Sequence, residues 1–445
     1  MHRQLNRRSS QRGAATLVTV LGLTAACAVG LGFMARALGT EHRGLSDRWP
    51  WAVSREAAES GQHWARAQLH AGRLDSRCQP SALPAHSPWV DLRSTGTVSL
   101  GEASRLGQTP SGLASPLASC QHTGTAWQCQ CTHDAVTGIS GASTPAPSAT
   151  TGYEAASATP GPAVAMPARF EVALQPGSTP HTLIVHTWGC ASPQASCSSS
   201  EPGLLHRAYV QTSLGFVPHL RVLPNAALTV HGHIRWTGAP TSIHHAQGTA
   251  GATLVRAAGS WLSTAQPSAS GSTPEVPPQV STLDRWLQAA ATGDAALSRW
   301  LGARTAALLQ SGQVQRLDCA ASECAQRLQA AWSQQPDTTW WIDNALIVQE
   351  PLALGSAQHP LLLIINGDVH LQAAGARLQG VVIVRAPTAT LQGPGSLEGA
   401  MVVLGDAQVA ASAPAPTLVF NPEVVQRVRE RHGLWVPIPG SWRDY

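Results

Sequence analysis

Lysine is absent from this 445-residue chain, and charged residues of all kinds make up only 12% of it. With no lysine there is no Gly-Lys-Ser/Thr phosphate loop, so a Walker-type nucleotide site is excluded. Arg3, Arg7, Arg8 and Arg12 account for the whole formal charge of +4, and the chain after Gly13 is neutral overall. No basic stripe is left to follow a nucleic-acid backbone, and nucleic acid is not an expected partner. HExxH, GxSxG and CxxC are also missing, so no sequential motif announces a catalytic apparatus or a bound cofactor. Within 361–411 the acidic residues are Asp368, Glu398 and Asp406, unpaired in the sequence. Asp368 and Asp406 each follow a glycine, as turn residues do. The chain is not expected to be an enzyme.

Glycine (40) and proline (32) are plentiful, which favours loops, turns and repeats over amphipathic helices. The length suits two or three domains. One cysteine of nine, Cys27, lies in an apolar segment. The other eight, Cys78, Cys120, Cys129, Cys131, Cys190, Cys197, Cys319 and Cys324, form the even set expected where thiols are oxidised. Cys129 and Cys131 are too close to bridge each other comfortably, which leaves Cys78 and Cys120 as their candidate partners. Cys190 with Cys197 and Cys319 with Cys324 are spaced for local loops. His231, His233, His244 and His245 are close in sequence but have no acidic residue among the first pair, and they read as a solvated histidine-rich face with no metal.

From Ala14 to Ala35 run 22 residues without a charge, preceded by arginines. As a helix they would span about 33 Å, enough for a hydrocarbon core, with residues 1–13 as a basic cytoplasmic leader. A cleaved signal ending at Ala26 and a lipidated Cys27 are the rival readings; apolar character continuing past Ala26, and Thr24 where a lipobox has a branched aliphatic residue, weigh against them. Gly22, Ala26 and Gly30 recur every four residues, a spacing that lets membrane helices pack closely. Residues 36–72 read as a periplasmic helical extension, starting at Ser46 or Asp47 with Pro50 in its first turn.

"QRGAATLVTVL" followed by "REAAESGQHWARAQL", together with the terminal "VPIPGSWRDY", resembles PilX-type type IV pilus assembly proteins. The resemblance implies a minor pilin-like subunit that initiates pilus assembly or caps the filament. It also implies prepilin-type cleavage between Gly13 and Ala14. Its implied partners are other minor pilins, the major pilin, prepilin peptidase and a PilY-type tip adhesin, at the bacterial inner membrane, with the N-terminus cytoplasmic and the ectodomain periplasmic. Such a cleavage would put Val18 where pilins carry a glutamate, an absence shared with K-type pseudopilins of type II secretion, which suggests a place near the tip. A membrane-anchored periplasmic or surface binding protein outside the filament, or a K-type type II secretion pseudopilin, is the alternative.

The expected fold is α+β: a transmembrane, pilin-like helix (14–35) followed by a mainly-β ectodomain. Residues 73–168 read as a Ser/Pro/Ala-rich loop region with cysteines, including a connector over 141–168. Residues 169–262 read as antiparallel strands, and 280–335 as a helical insert carrying Leu283, Trp286, Leu287, Leu297, Trp300 and Leu301 at helical intervals. Over 338–411 a period of nineteen to twenty residues matches Leu371 with Leu391, Gly375 with Gly395, Leu378 with Leu397 and Gly380 with Gly399, as in a short β-solenoid. Residues 412–445 complete the chain as a capping helix opened by Asn421, Pro422 and Glu423, and a tail.

Overall fold

The computed structural model describes residues 11–81, 83, 86, 116–131, 167–192, 196–198, 206–238, 242–247, 253–263, 279–289, 293–310, 314–411 and 416–444. The leader up to residue 10 and the connector over 141–166 lie outside them. Helix α1 (Gln11–Gln68) is continuous and holds Pro50 in its interior, where a cap at Ser46 or Asp47 and a second helix were expected. An interior proline costs a helix roughly 3 kcal/mol. Packing offsets that cost, because from Pro50 onward one side of α1 is buried: Ser54, Ala57, Ala58, Gly61, Gln62 and Ala65 all face protein, as does Leu69 just beyond its end.

They face an antiparallel sheet made by β1 (Ala118–His122), β2 (Trp127–Cys131), β3 (Arg169–Pro176), β4 (Thr182–Cys190) and β5 (Arg207–Pro218). Phe170, Val172 and Leu174 of β3, Leu183 and Val185 of β4 and Leu214 of β5 join Ala57 and Ala65 of α1, and Leu69 just after it, in one core. The central strands are buried on both faces: Ala173 of β3, Trp188 and Cys190 of β4 and Tyr209 of β5 form a second, smaller cluster with Cys197. The expected loop region 73–168 thus contributes the hairpin β1–β2. Cys120 and Cys129 face each other across that hairpin and are disulfide-bonded. Cys78–Cys131 ties the segment after α1 to β2, closing a separation of 53 residues. Cys190–Cys197 and Cys319–Cys324 close the two short loops.

After Pro218 the architecture changes. The chain forms β6 (Leu228–Val230), β7 (Ile234–Gly238), β8 (Ser242–His245), β9 (Thr253–Ala257), β10 (Trp261–Ser263) and β11 (Gln279–Ser281). Next come α2 (Arg285–Gln288), α3 (Asp294–Leu301), α4 (Thr305–Gln310), β12 (Val314–Leu317) and α5 (Cys324–Gln334). The run continues with β13 (Thr339–Ile342), β14 (Leu346–Val348), β15 (Ala353–Leu354), β16 (Leu361–Ile365), β17 (Val369–Leu371) and β18 (Arg377–Val384). It ends with β19 (Thr388–Gln392), β20 (Ser396–Val403), β21 (Asp406–Ala411), β22 (Thr417–Phe420) and α6 (Pro422–Arg431). Finally β23 (Gly433–Pro437) and β24 (Arg443–Asp444) return to pair with β5.

All strands from β6 to β22 pair in parallel, and they run alternately through two main sheets. One has the path β11-β9-β6-β20-β18-β16-β13-β12, the other β10-β7-β21-β19-β17-β14. The expectation of antiparallel strands over 169–262 therefore holds only as far as Pro218. Short apolar runs bounded by turns look alike in either kind of sheet. The stack expected over 338–411 is likewise only part of these sheets. β6 and β7, early in the chain, lie on β20 and β21, late in it. Along the stack the sequence reads from β12 up to β21 and then from β6 up to β11, a permuted order. Helices α2, α3 and α4 occupy the connection from β11 back to β12.

The repeat is in register where its offset is nineteen: Leu378 pairs with Leu397 and Gly380 with Gly399. It is not in register for the other two matches. Leu391 pairs with Val369, and the Gly395 amide donates to Leu371 O. In the second sheet Leu346 pairs with Val369, Val369 with Leu391 and Leu391 with Val409, so the offset varies from pair to pair, because the connections between layers differ in length. The helical insert buries Leu287, Leu297, Trp300 and Leu301, but Leu283 is exposed and precedes the Asp284 cap of α2. Asn421 caps α6 by accepting from the Glu423 and Val424 amides. That helix lies along β18 and β20 and does not close an end of the stack, and the terminal tail pairs with β5.

The molecule is thus a head, made of α1 and the antiparallel sheet, with residues 219–432 inserted between two neighbouring strands of that sheet. Pro218 pairs with Gly433, and the His219 amide donates to His432 O at 2.9 Å, so the chain leaves and returns at one point.

Candidate assembly surface

Helix α1 is two surfaces in one element. Its C-terminal half fits the sheet at very short range, which small residues make possible. A Cβ on Gly61 would overlap the Thr187 and Phe170 side chains, and one on Gly189 of β4 would overlap the Ser54 backbone oxygen. Polar groups in this contact are used. Ser54 Oγ lies 2.9 Å from both Pro50 O and His206 O, and Gln62 Nε2 donates to Val185 O and Val210 O on neighbouring strands at 3.3 Å. Arg55 pairs with Glu59 at 3.0 Å and with Asp444 at 3.3 Å, joining helix and C-terminal tail, and lies over the Trp51 ring.

The N-terminal half is bare. Val18, Val20, Leu21, Leu23, Val29, Leu31, Phe33 and Met34 are 60–73% exposed. Covering eight such side chains is worth on the order of 10 kcal/mol before any association cost. The expected packing residues Gly22, Ala26 and Gly30 lie here; a Cβ on Gly22 or Gly30 would touch nothing, and Cys27 is an exposed free thiol. Thr24 satisfies its hydroxyl within the helix, donating toward Val20 O or Leu21 O at 3.0 Å. Gly13 and Ala14 are helical in backbone, and their surroundings lie outside the described residues. The expected transmembrane span is corrected in one respect: among the described residues no helix is long and apolar enough to cross a membrane.

The side chains weighed for chemistry are engaged in the stack. Asp368 Oδ1 accepts from the Thr390 amide at 2.8 Å and Asp406 Oδ1 from the His233 amide at 2.7 Å, each bridging adjacent layers. Glu398 accepts from Asn421 Nδ2 at 2.6 Å. His233 is exposed with Nδ1 2.9 Å from Ser260 Oγ, but His231 is buried, and its Nε2 accepts from Trp300 Nε1 at 2.8 Å. The solvated histidine face thus excludes His231, whose burial pushes it down to about 4. Among the described residues no three His, Cys, Asp or Glu side chains are grouped to hold a metal ion.

Sequence reading missed the close approach of Gly61 and Gly189 and the Arg55–Asp444 bridge. Glycine is so common here that two functional ones do not stand out, and nothing local links residue 55 to residue 444.

The sequence matches no family model and no curated protein. Among solved structures it is similar to the competence-associated pilin ComZ from Thermus thermophilus. The two are 9% identical, the match covers 62% of this chain and 84% of that one, and the TM-score is 0.16, too loose a superposition to carry an argument.

Proposed function

We propose that the chain is a minor pilin-like subunit of a type IV pilus machine, without a catalytic role, initiating assembly or capping the filament. The observation that supports this most is the division of α1. A single helix is docked onto its own head over one half and presents a bare apolar surface over the other, so it needs a second body to cover that surface. In this reading the inner membrane surface and then neighbouring subunit helices cover it, with the head and inserted layers in the periplasm. The four disulfides suit that compartment. The resemblance of the N- and C-terminal segments to PilX-type proteins supports the same reading, along with the partners it implies: minor pilins, the major pilin, prepilin peptidase and a PilY-type adhesin. We read the parallel layers as a β-solenoid carried by the head, with aspartates at its turns bonding from layer to layer.

The test is the N-terminal residue of the mature protein, determined by mass spectrometry of membrane and sheared-filament fractions. Ala14 in both fractions is the expected result. An intact Met1, or absence from sheared filaments that are otherwise normal in a deletion strain, would sink the proposal.

A further inference from the structure

The point where the inserted layers join the head is bordered by a buried chain of hydrogen bonds. His219, the first residue after β5, and His432, the last before β23, are both buried. His432 Nε2 lies 2.7 Å from Pro360 O. A carbonyl can only accept, so Nε2 carries the proton and Nδ1 is an acceptor. Thr339 Oγ1 is 3.4 Å from that Nδ1 and 2.8 Å from His219 Nδ1. Threonine has one hydroxyl proton. Donating it to His432 leaves its oxygen to accept from His219 Nδ1–H. In this arrangement His219 Nε2 is a buried basic nitrogen, and in either tautomer that nitrogen has no hydrogen-bond partner.

This chain of bonds has no place for another proton. On His219 it would have to sit on Nε2, where nothing accepts it, and it would place a charge in a buried site. The charged and titratable groups around the junction do not relieve this. His70 and Arg66 belong to the end of α1, Arg431 to α6, and His359 to the segment before β16. The nearby carboxylate, Asp337 ahead of β13, is already engaged by His359 at 3.0 Å and Arg431 at 3.6 Å. Burial, with His432 and His70 nearby, holds His219 down to about 4, and full burial lowers His432 as well.

We propose that His219, Thr339 and His432 form an acid-sensitive latch that holds the inserted layers against the head and opens when His219 takes up a second proton. The latch stands on this geometry and is independent of the pilus reading. Its sign follows from linkage. In the closed state His219 stays neutral down to about pH 4; once released it regains the ordinary value of about 6.5. Acidification between those values therefore favours opening, and from pH 7.5 to 5.0 the opening constant should rise about 30-fold.

Hydrogen exchange of the full chain at pH 7.5 and 5.0, corrected for the intrinsic pH dependence of exchange, reads this directly. Segments 216–221, 337–342 and 429–434 should lose protection about 30-fold, while 380–384 and 396–403, away from any of the buried histidines of the junction and head, change less than about threefold. Unchanged protection at the junction, or an equal loss in the control segments, would overturn the latch. His219→Asn keeps an amide donor near the Nδ1 position and cannot be protonated, so the junction of that variant should lose its acid response. A variant that folds and still responds about 30-fold would show that His219 is not the sensor. Should it fail to fold, the wild-type profile decides alone.

Discussion

Replacing Gly399 with alanine tests the stacking of the layers most directly. Gly399 pairs with Gly380, and Gly380 with Leu361, in three successive strands of one sheet. Both glycines have positive φ, 130° at Gly399 and 152° at Gly380. A Cβ on Gly399 would overlap Gly380 O, and one on Gly380 would overlap Leu361 O. Two costs follow. A non-glycine residue in that backbone region costs about 1–3 kcal/mol. Moving a backbone carbonyl in a close-packed sheet adds about 1–3 kcal/mol. Together they predict about 3–5 kcal/mol for Gly399→Ala, measured by urea unfolding of the full chain in detergent, followed by tryptophan fluorescence. Gly440→Ala is the control: φ is 75° there, but no atom lies within 4 Å of the added Cβ, so only the conformational cost of about 1 kcal/mol remains. Equal losses for the two variants, or a loss below about 1 kcal/mol at Gly399, would refute the claim that the layers meet at glycine because nothing larger fits.

Gly189→Ala should cost about 3 kcal/mol and expose Phe170 and the α1 contact to proteolysis, since the new methyl meets helix backbone; limited digestion between α1 and β1 reads it. Removing the Cys78–Cys131 bridge by Cys78→Ser with Cys131→Ser should cost about 4 kcal/mol, from the length of the loop it closes, measured by thermal unfolding without reductant. In the head, His186 is buried, with Nδ1 2.6 Å from Tyr209 Oη and Nε2 3.0 Å from Gln175 Oε1, and burial pushes it down to about 4. Its neutral form therefore supports folding fully above about pH 6.5, and that support is lost as pH falls toward 4, by roughly 3 kcal/mol in all. His186→Gln should flatten head stability between pH 6.5 and 4, followed by urea midpoints across that range.

Much of the local structure is legible in the sequence. Asn421-Pro422-Glu423 starts a helix, Leu378 and Gly380 line up with Leu397 and Gly399, and the short apolar runs over 169–190 are strands. What is not legible is long-range. Leu228 and Met401 are neighbours in a sheet although nothing near either residue points to the other. A parallel ladder puts no constraint on the connection except a minimum length, so a permuted order leaves no mark on periodicity. Residue-level chemistry divides the same way. Asp368 and Asp406 follow glycine at the entry to a strand and accept backbone amides of the adjacent layer, whereas the fate of His219 and His432 depends on a threonine and a carbonyl from two other segments. The bare half of α1 was legible because an uncharged run needs no partner to be recognised.

The permuted order also bears on how the protein is made. A ribosome delivers β6 and β7 about 170 residues before β20 and β21, the strands that cover their inward edge. Until then the nascent chain carries two unpaired parallel edges, open to pairing with the wrong chain. The large sequence separation across the seam between β20 and β6 makes its closure slow. The inward edges of β6 and β7 thus stay open until the chain has been made as far as residue 411.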